Sequence, residues 1–190
     1  MTCRQWPGRA AVFALLGLFL GLFIGQPAAA AKKDSLGLDT GTEIDYVEPE
    51  VEEWKELDVP PPAFPRAENL REFYVSPTAT AKYLIDVSTL APGSDGIVRY
   101  VLVIRTAGGA QNISYEGIRC EENTWKLYAT GGDGQWRKAR ISEWRPIENQ
   151  PVNRYHAALS RELFCPMGIP IATPDEGRNA LKLGKHPNAN

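Results

Sequence analysis

Between Gly96 and Gly132 three runs of alternating residues follow one another across gaps too short for anything but antiparallel pairing. The runs are IVRYVLVIR, NISYEGIRC and WKLYAT, and the gaps are Ala107-Gly108-Gly109-Ala110 and Glu121-Glu122-Asn123, both turn-forming. A parallel return needs a dozen or more residues, so these strands must reverse direction at each gap. In the first run Val98, Tyr100, Leu102 and Ile104 share one face. Val101 and Val103 make the other face partly apolar, with Arg99 and Arg105 at its ends. Apolar residues on both faces predict an interior strand. In WKLYAT simple alternation puts Trp125, Leu127 and Ala129 on one face and Lys126, Tyr128 and Thr130 on the other.

The flanks extend this sheet. Leu70 to Val75 reads as a strand stopped by Ser76-Pro77, and Lys82 to Leu90 as another with Tyr83, Ile85 and Val87 on one face. Gln135 to Glu143, after the Gly131-Gly132-Asp133-Gly134 turn, is read as a further edge strand. The period then changes. Pro151 sits near a helix start, where its missing N–H costs nothing, and Val152, Tyr155, Leu159 and Leu163 recur at spacings of three and four, with Phe164 alongside. This helix should end at Cys165-Pro166. A short second helix is expected with Thr173 as cap, Pro174 at its first position, and Asp175 and Glu176 in its first turn. The predicted fold is α+β: a four- to six-stranded, mainly antiparallel sheet with one main amphipathic helix packed on a face and a short C-terminal helix. Residues 54–183 form its single domain and 184–190 a loose tail.

The N-terminal third is different in kind. Arg4 and Arg9 precede an uncharged run from Ala10 to Ile24, then Pro27 and four alanines. This is the pattern of a secretory signal, with cleavage after Ala30 or Ala31, so residues 1–31 are expected to be removed. The alternative is an uncleaved anchor, because Gly17, Gly21 and Gly25 recur at the spacing that lets membrane helices approach. Against it, the run is shorter than the ~20 residues a bilayer requires. Cys3 lies before the apolar run, so no cysteine begins the mature chain to carry a lipid. Residues 32–53 are acidic and aperiodic and read as a disordered lead-in. Residues 54–65 follow as a proline-rich arm in which Trp54 and Phe64 flank Pro60-Pro61-Pro62. Such an arm either serves as ligand for a partner or is pinned by its aromatics to its own domain.

Loss of Arg4 and Arg9 takes the formal charge from −2 to −4, without any basic run. That argues against nucleic acid as a partner, since phosphates demand clustered cations, and none is expected. It also argues against electrostatic docking on anionic lipid. No stable membrane anchor is expected after cleavage. Cys120 and Cys165 remain as an even pair in an oxidising compartment, and a disulfide is the expected outcome, with two buried thiols as the alternative. No histidine or further cysteine lies near Cys120, so no metal site is predicted.

Chemistry-bearing residues are few. No nucleophile elbow, phosphate loop or zinc pair is present, and no cofactor is implied. His156 and His186 are the only histidines, and His186 falls in the expected tail. His156 has Ser160 one turn on, but that spacing does not aim a base at a hydroxyl; a surface or helix-capping histidine is expected. Glu116, Glu121, Glu122 and Asp133 are candidate carboxylates, expected to face water. Gly131-Gly132-Asp133-Gly134 is similar to a calcium-loop fragment, but the remaining ligand positions hold Gln135, Trp136 and Arg137, which cannot complete it. More suggestive is the cluster of Trp125, Tyr128, Trp136 and Trp144 interleaved with Arg137, Lys138, Arg140 and Arg145. Such a surface stacks on sugar rings or peptides while guanidinium groups take carboxylates. Trp125 and Trp144 are read as core and Trp136 as the exposed member, so Trp136, Arg137 and Arg140, together with Trp54 of the arm, are the candidate binding surface.

Taken in order, VRYVLVIRTAGGAQNISYEGIRC, LYATGGDGQW, EWRPI and NRYHAALSRELFC resemble the CNP-one-like family of exported proteobacterial proteins. The resemblance covers roughly Trp54 to Cys165 and implies a periplasmic or envelope location. It brings no activity and no catalytic residues. Some relatives look like lipoproteins; this chain lacks the cysteine they use. The expected function is therefore a non-catalytic periplasmic binding or scaffold module contacting an envelope protein or cell-wall component. The alternatives are a small cell-wall hydrolase working through His156 or central-strand carboxylates, and a tethered protein that keeps its N-terminal helix.

Overall fold

The computed structural model describes residues 53–189. The signal segment expected over 1–31 and nearly all of the lead-in over 32–53 lie outside the described residues.

The short gaps act as expected. Strands β1 (Leu70–Phe73), β2 (Lys82–Pro92), β3 (Ile97–Arg105), β4 (Gln111–Arg119), β5 (Thr124–Gly132) and β6 (Gln135–Lys138) lie side by side in chain order, each antiparallel to the one before. A two-residue strand, β7 (Arg145–Pro146), pairs with Thr124 and Trp125 at the start of β5. The expected edge strand over Gln135 to Glu143 thus stops at Lys138. At the β4–β5 turn Asn123 takes a φ of 50°, a left-handed conformation that asparagine tolerates better than most residues. Its side-chain amide also donates to the Ile147 carbonyl at 3.3 Å.

Helix α1 (Arg154–Ala158) continues as a π-type turn over Leu159–Phe164, closed by Cys165 N–H donating to the Ser160 carbonyl at 2.8 Å. The helix begins later than Pro151, because Gln150 to Asn153 closes a turn first. Val152, assigned by period to the apolar stripe, therefore precedes the helix and is 80% exposed. The rest of the stripe behaves as read: Leu159, Leu163 and Phe164 are buried against Ile85, Val98, Tyr100, Leu102 and Ile118 of the sheet. Cys165 at the helix end is bonded to Cys120 just beyond β4, closing a separation of 45 residues. This is the staple between helix and sheet that the cysteine count suggested.

Helix α2 (Pro174–Leu183) begins as its signals dictate, with Thr173 Oγ1 accepting from Glu176 N–H at 3.2 Å and Pro174 at the first position. Gly177 lets it lie directly on Leu90 and Ile171, with which an added Cβ would collide. After Gly184, at φ 80°, the chain turns back instead of trailing off. His186 is 4% exposed, its N–H donates to the Glu162 carbonyl at 2.7 Å, and its Nε2 lies 2.9 Å from Glu176 Oε1. The segment expected to be loose is thus fastened at least to Ala189, whose N–H reaches the His186 carbonyl.

The opposite face of the sheet explains why β3 is apolar on both sides. Val101, Tyr115 and Ala129 form a second cluster, flanked by Ile113, Tyr128 and Trp136, and the proline-rich arm lies across it. Trp136 Nε1 donates to the Pro62 carbonyl at 2.8 Å, and its ring packs on Phe64 at 5.3 Å between centroids. Arg99 donates to the Leu57 carbonyl at 2.9 Å, and the Leu57 N–H donates to Asp95 at 2.9 Å. Trp54 Nε1 donates to the Asp95 carbonyl at 2.9 Å, while Arg119 stacks on its ring at 3.8 Å. The arm is pinned to its own domain, making the sheet the middle layer between helices and arm.

Candidate functional site

On the helical face, α1 and the turn that continues it cover β2, β3 and the end of β4, and leave the start of β4 and the side toward β6 open. Register decides which residues line that opening. Tyr100 of β3 sits opposite Glu116 of β4, and Glu116 opposite Leu127 of β5. The pairing shifts between Tyr115 and Glu116, so Tyr128 is an extra residue on β5. A bulge of this kind changes the phase of the strand. Trp125 and Leu127 therefore keep company with Thr130 on the helical face, while Ala129 turns to the arm face. Simple alternation had put Ala129 with Trp125 and Thr130 with Lys126.

The floor of the opening is a buried polar cluster. Glu116, 3% exposed, accepts from Ser114 Oγ at 2.6 Å through Oε1, and from Tyr100 OH at 3.2 Å through Oε2. Its Oε2 is also 2.9 Å from Nε2 of His156, which is fully buried. The imidazole stacks on Trp125 at 3.8 Å and meets Tyr155 at 4.2 Å, and Tyr155 stacks in turn on Tyr83 at 5.3 Å. A row of rings thus runs from β2 to β5. Burial, then the negative charge of Glu116, pushes the Tyr100 and Tyr155 phenols well above their ordinary range, so both remain protonated donors.

Two adjoining hollows share Trp125, Leu127 and Thr130 and form one cleft over β5. The inner one, about 380 Å³, is lined further by Asn112, Ser114, Glu116 and Tyr155. The outer one, about 470 Å³, is rimmed by Arg137, Lys138, Arg140 and Arg145, with Glu143 its single carboxylate. Arg137 makes an exposed pair with Asp133 at 3.3 Å; among the described residues Lys138, Arg140 and Arg145 have no salt bridge. Cation-rich at one end, hydroxyl- and amide-rich at the other, with a tryptophan in the wall, the cleft suits a ligand with an anionic part and a flat apolar one.

The candidate residues read from the sequence divide between the two faces. Arg137 and Arg140 lie on the cleft. Trp136 does not: its indole is held beneath the arm, and Trp54 is likewise engaged there. The tryptophan that lines the cleft is Trp125, read from sequence as core, and it is in fact packed on the core on one side as well. Trp144 lies on the arm side, donating to Glu56 at 3.2 Å and meeting Trp54 edge-on. The expectation of a surface or capping His156 is corrected: its ring is sealed between Trp125 and Tyr155 over a buried carboxylate. Ser160 donates to Asn123 Oδ1 at 3.2 Å. Glu121, Glu122 and Asp133 do face water, paired with Arg119 or Arg137, but Glu116 does not. Its position among Ile118 and Ser114, on the face that meets the helix, was the signal in the alternation that could have revealed it. Among the described residues no group of three or more His, Cys, Asp or Glu is placed to hold a metal ion, and no helix is long and apolar enough to cross a membrane.

Comparison with known proteins places these features in a lineage. Cryptic neisserial protein 1 of Neisseria gonorrhoeae (strain ATCC 700825 / FA 1090) is 28% identical over 176 residues, covering 82% of this chain and 86% of that protein. No solved structure matches. The model of the CNP1-like family matches residues 49–182, which hold the sheet, the two disulfide-bonded cysteines and nearly all of both helices. On that match the chain is a member of the CNP1-like family.

Proposed function

We propose that the protein is a non-catalytic periplasmic module that binds an anionic component of the cell envelope in the cleft over β5. The observation that carries the reading is the rim: four cations against one carboxylate, gathered around the partly exposed Trp125 and Leu127 on a chain whose formal charge is negative. Cations concentrated against the overall charge of a chain mark a place where an opposite charge is received. The export pattern at the N-terminus and the buried disulfide support a periplasmic setting. A hydrolytic use of His156 finds little support in a ring with no exposed surface and one nitrogen committed to Glu116.

The test is cosedimentation of the mature protein with purified murein sacculi and with envelope membranes, at low and high salt. Binding that falls with salt and is lost in R140E/R145E is expected, since both arginines are exposed and neither is in a salt bridge, Arg145 lying over the Trp125 ring at 5.9 Å. Binding that survives the double charge reversal at low salt would place the contact elsewhere.

A further inference from the structure

Resting on that reading, we infer that the ligand is a saccharide in which an acidic ring adjoins a neutral one, its carboxylate at the arginine rim and its neutral ring over Glu116. The two halves of the cleft differ in what they can receive. Ser114, Thr130 and Arg137 form one cross-strand row through the registers of β4, β5 and β6. At the usual strand spacing this row spans about 10 Å. A ligand lying across it meets cations at one end and Asn112, Ser114 and Glu116 at the other, with Trp125 and Leu127 between.

Glu116 sets the chemistry of the inner end. A carboxylate offers about four acceptor sites. Ser114, Tyr100 and His156 occupy three of them, and the group still lines the cleft while only 3% exposed. Both oxygens already have a partner, and the remaining acceptor site can take one further hydroxyl or amide N–H from a ligand. A second carboxylate there is repelled by the Glu116 charge, so a uniformly acidic polymer fits poorly. An extended peptide would call for free backbone donors and acceptors in the cleft wall, but the β5 backbone is largely engaged: with β4 on one side, and on the other with β6 over Ala129–Gly132, with β7 at Thr124 and Trp125, and through the Leu127 and Tyr128 carbonyls, which accept from Ser142 Oγ and Ala139 N–H. Asn and Ser side chains beside a tryptophan face are instead the groups that bind sugar hydroxyls and the apolar face of a ring.

Calorimetric titration tests this with four probes: short hyaluronan oligosaccharides, in which acidic and neutral rings alternate; murein glycan strands freed of stem peptides; neutral chitin oligosaccharides; and poly-glutamate. Binding to at least one alternating saccharide is expected, with the neutral one weaker by about tenfold or more, the weight of a charge-assisted hydrogen bond. R140Q should cost the alternating saccharide a similar factor. Asn112→Ala, on an exposed residue, should weaken saccharide binding several-fold, as should E116Q wherever its melting transition is preserved. The inference is overturned if neither alternating saccharide binds. It is equally overturned if poly-glutamate binds as tightly and Asn112→Ala changes nothing, an outcome that leaves the anionic-ligand reading standing. That broader reading falls separately, if R140E/R145E leaves envelope binding intact.

Discussion

A buried ion pair beneath the arm, Arg99–Asp95, holds Leu57 of the arm through both of its backbone groups, and Asp95→Asn is the perturbation that interrogates it. Arg99 donates to both oxygens of Asp95, at 2.7 and 3.1 Å, and both side chains are only 2% exposed. Asp95 also accepts from Leu57 N–H of the arm and, at 3.3 Å, from Ile97 N–H. Burial by itself would raise the Asp95 carboxyl; the hydrogen bond and charge of Arg99, with the two backbone donors, outweigh it and hold the group below its ordinary value. D95N leaves the Arg99 guanidinium buried without its counter-charge, a change that costs about 3–5 kcal/mol. In a domain of this size that is a large fraction of the total stability. Urea unfolding should show the midpoint falling by a corresponding amount with the slope unchanged. In D95N/R99M no charge is stranded, and the loss should be smaller than in D95N alone. The pH dependence has a definite sign. Because the folded-state value is depressed, the contribution is present above the unfolded-state value near 4 and disappears as pH falls through the folded one. The gap between wild type and D95N should therefore narrow in acid. A D95N loss under about 1 kcal/mol at neutral pH, or a double variant as damaged as the sum of its singles, would refute the argument.

Removing the disulfide with C120S/C165S should cost roughly 4 kcal/mol, the chain-entropy value for a closed loop of 45 residues, read from unfolding midpoints of the oxidised protein and the variant. Trp136→Ala removes the Pro62 hydrogen bond and the Phe64 contact, so it should lose about 2–4 kcal/mol and make residues 54–66 the first site of limited proteolysis. Unchanged stability would mean that the arm is held by its other contacts.

Several features were legible before any coordinates. Turn length alone forced the antiparallel order of β2 to β6, because a short chain cannot return parallel. The parity of cysteines left once the expected export signal is set aside pointed to the 120–165 bridge, and Thr173-Pro174 announced the start of α2. These are local facts, or facts of counting. The apolar second face of β3 was also visible, and it implied a cover without saying that the proline arm supplies it. The tail beyond Gly184 was misjudged because polarity and terminal position say nothing of a carbonyl at Glu162 or a carboxylate at Glu176 waiting to receive His186.

Tertiary structure alone decided the candidate site. Glu116 and His156 are 40 residues apart and meet only because a helix lies across the register of β3 and β4. One extra residue at Tyr128 moves Thr130 into the cleft and Ala129 out of it, and alternation cannot detect a bulge. Trp125, read as core, walls an open cleft, and Trp136, read as exposed, lies under the chain's own arm. Periodicity reports which way a side chain points from its strand. What then covers that side chain depends on elements dozens of residues away, and that was set by packing.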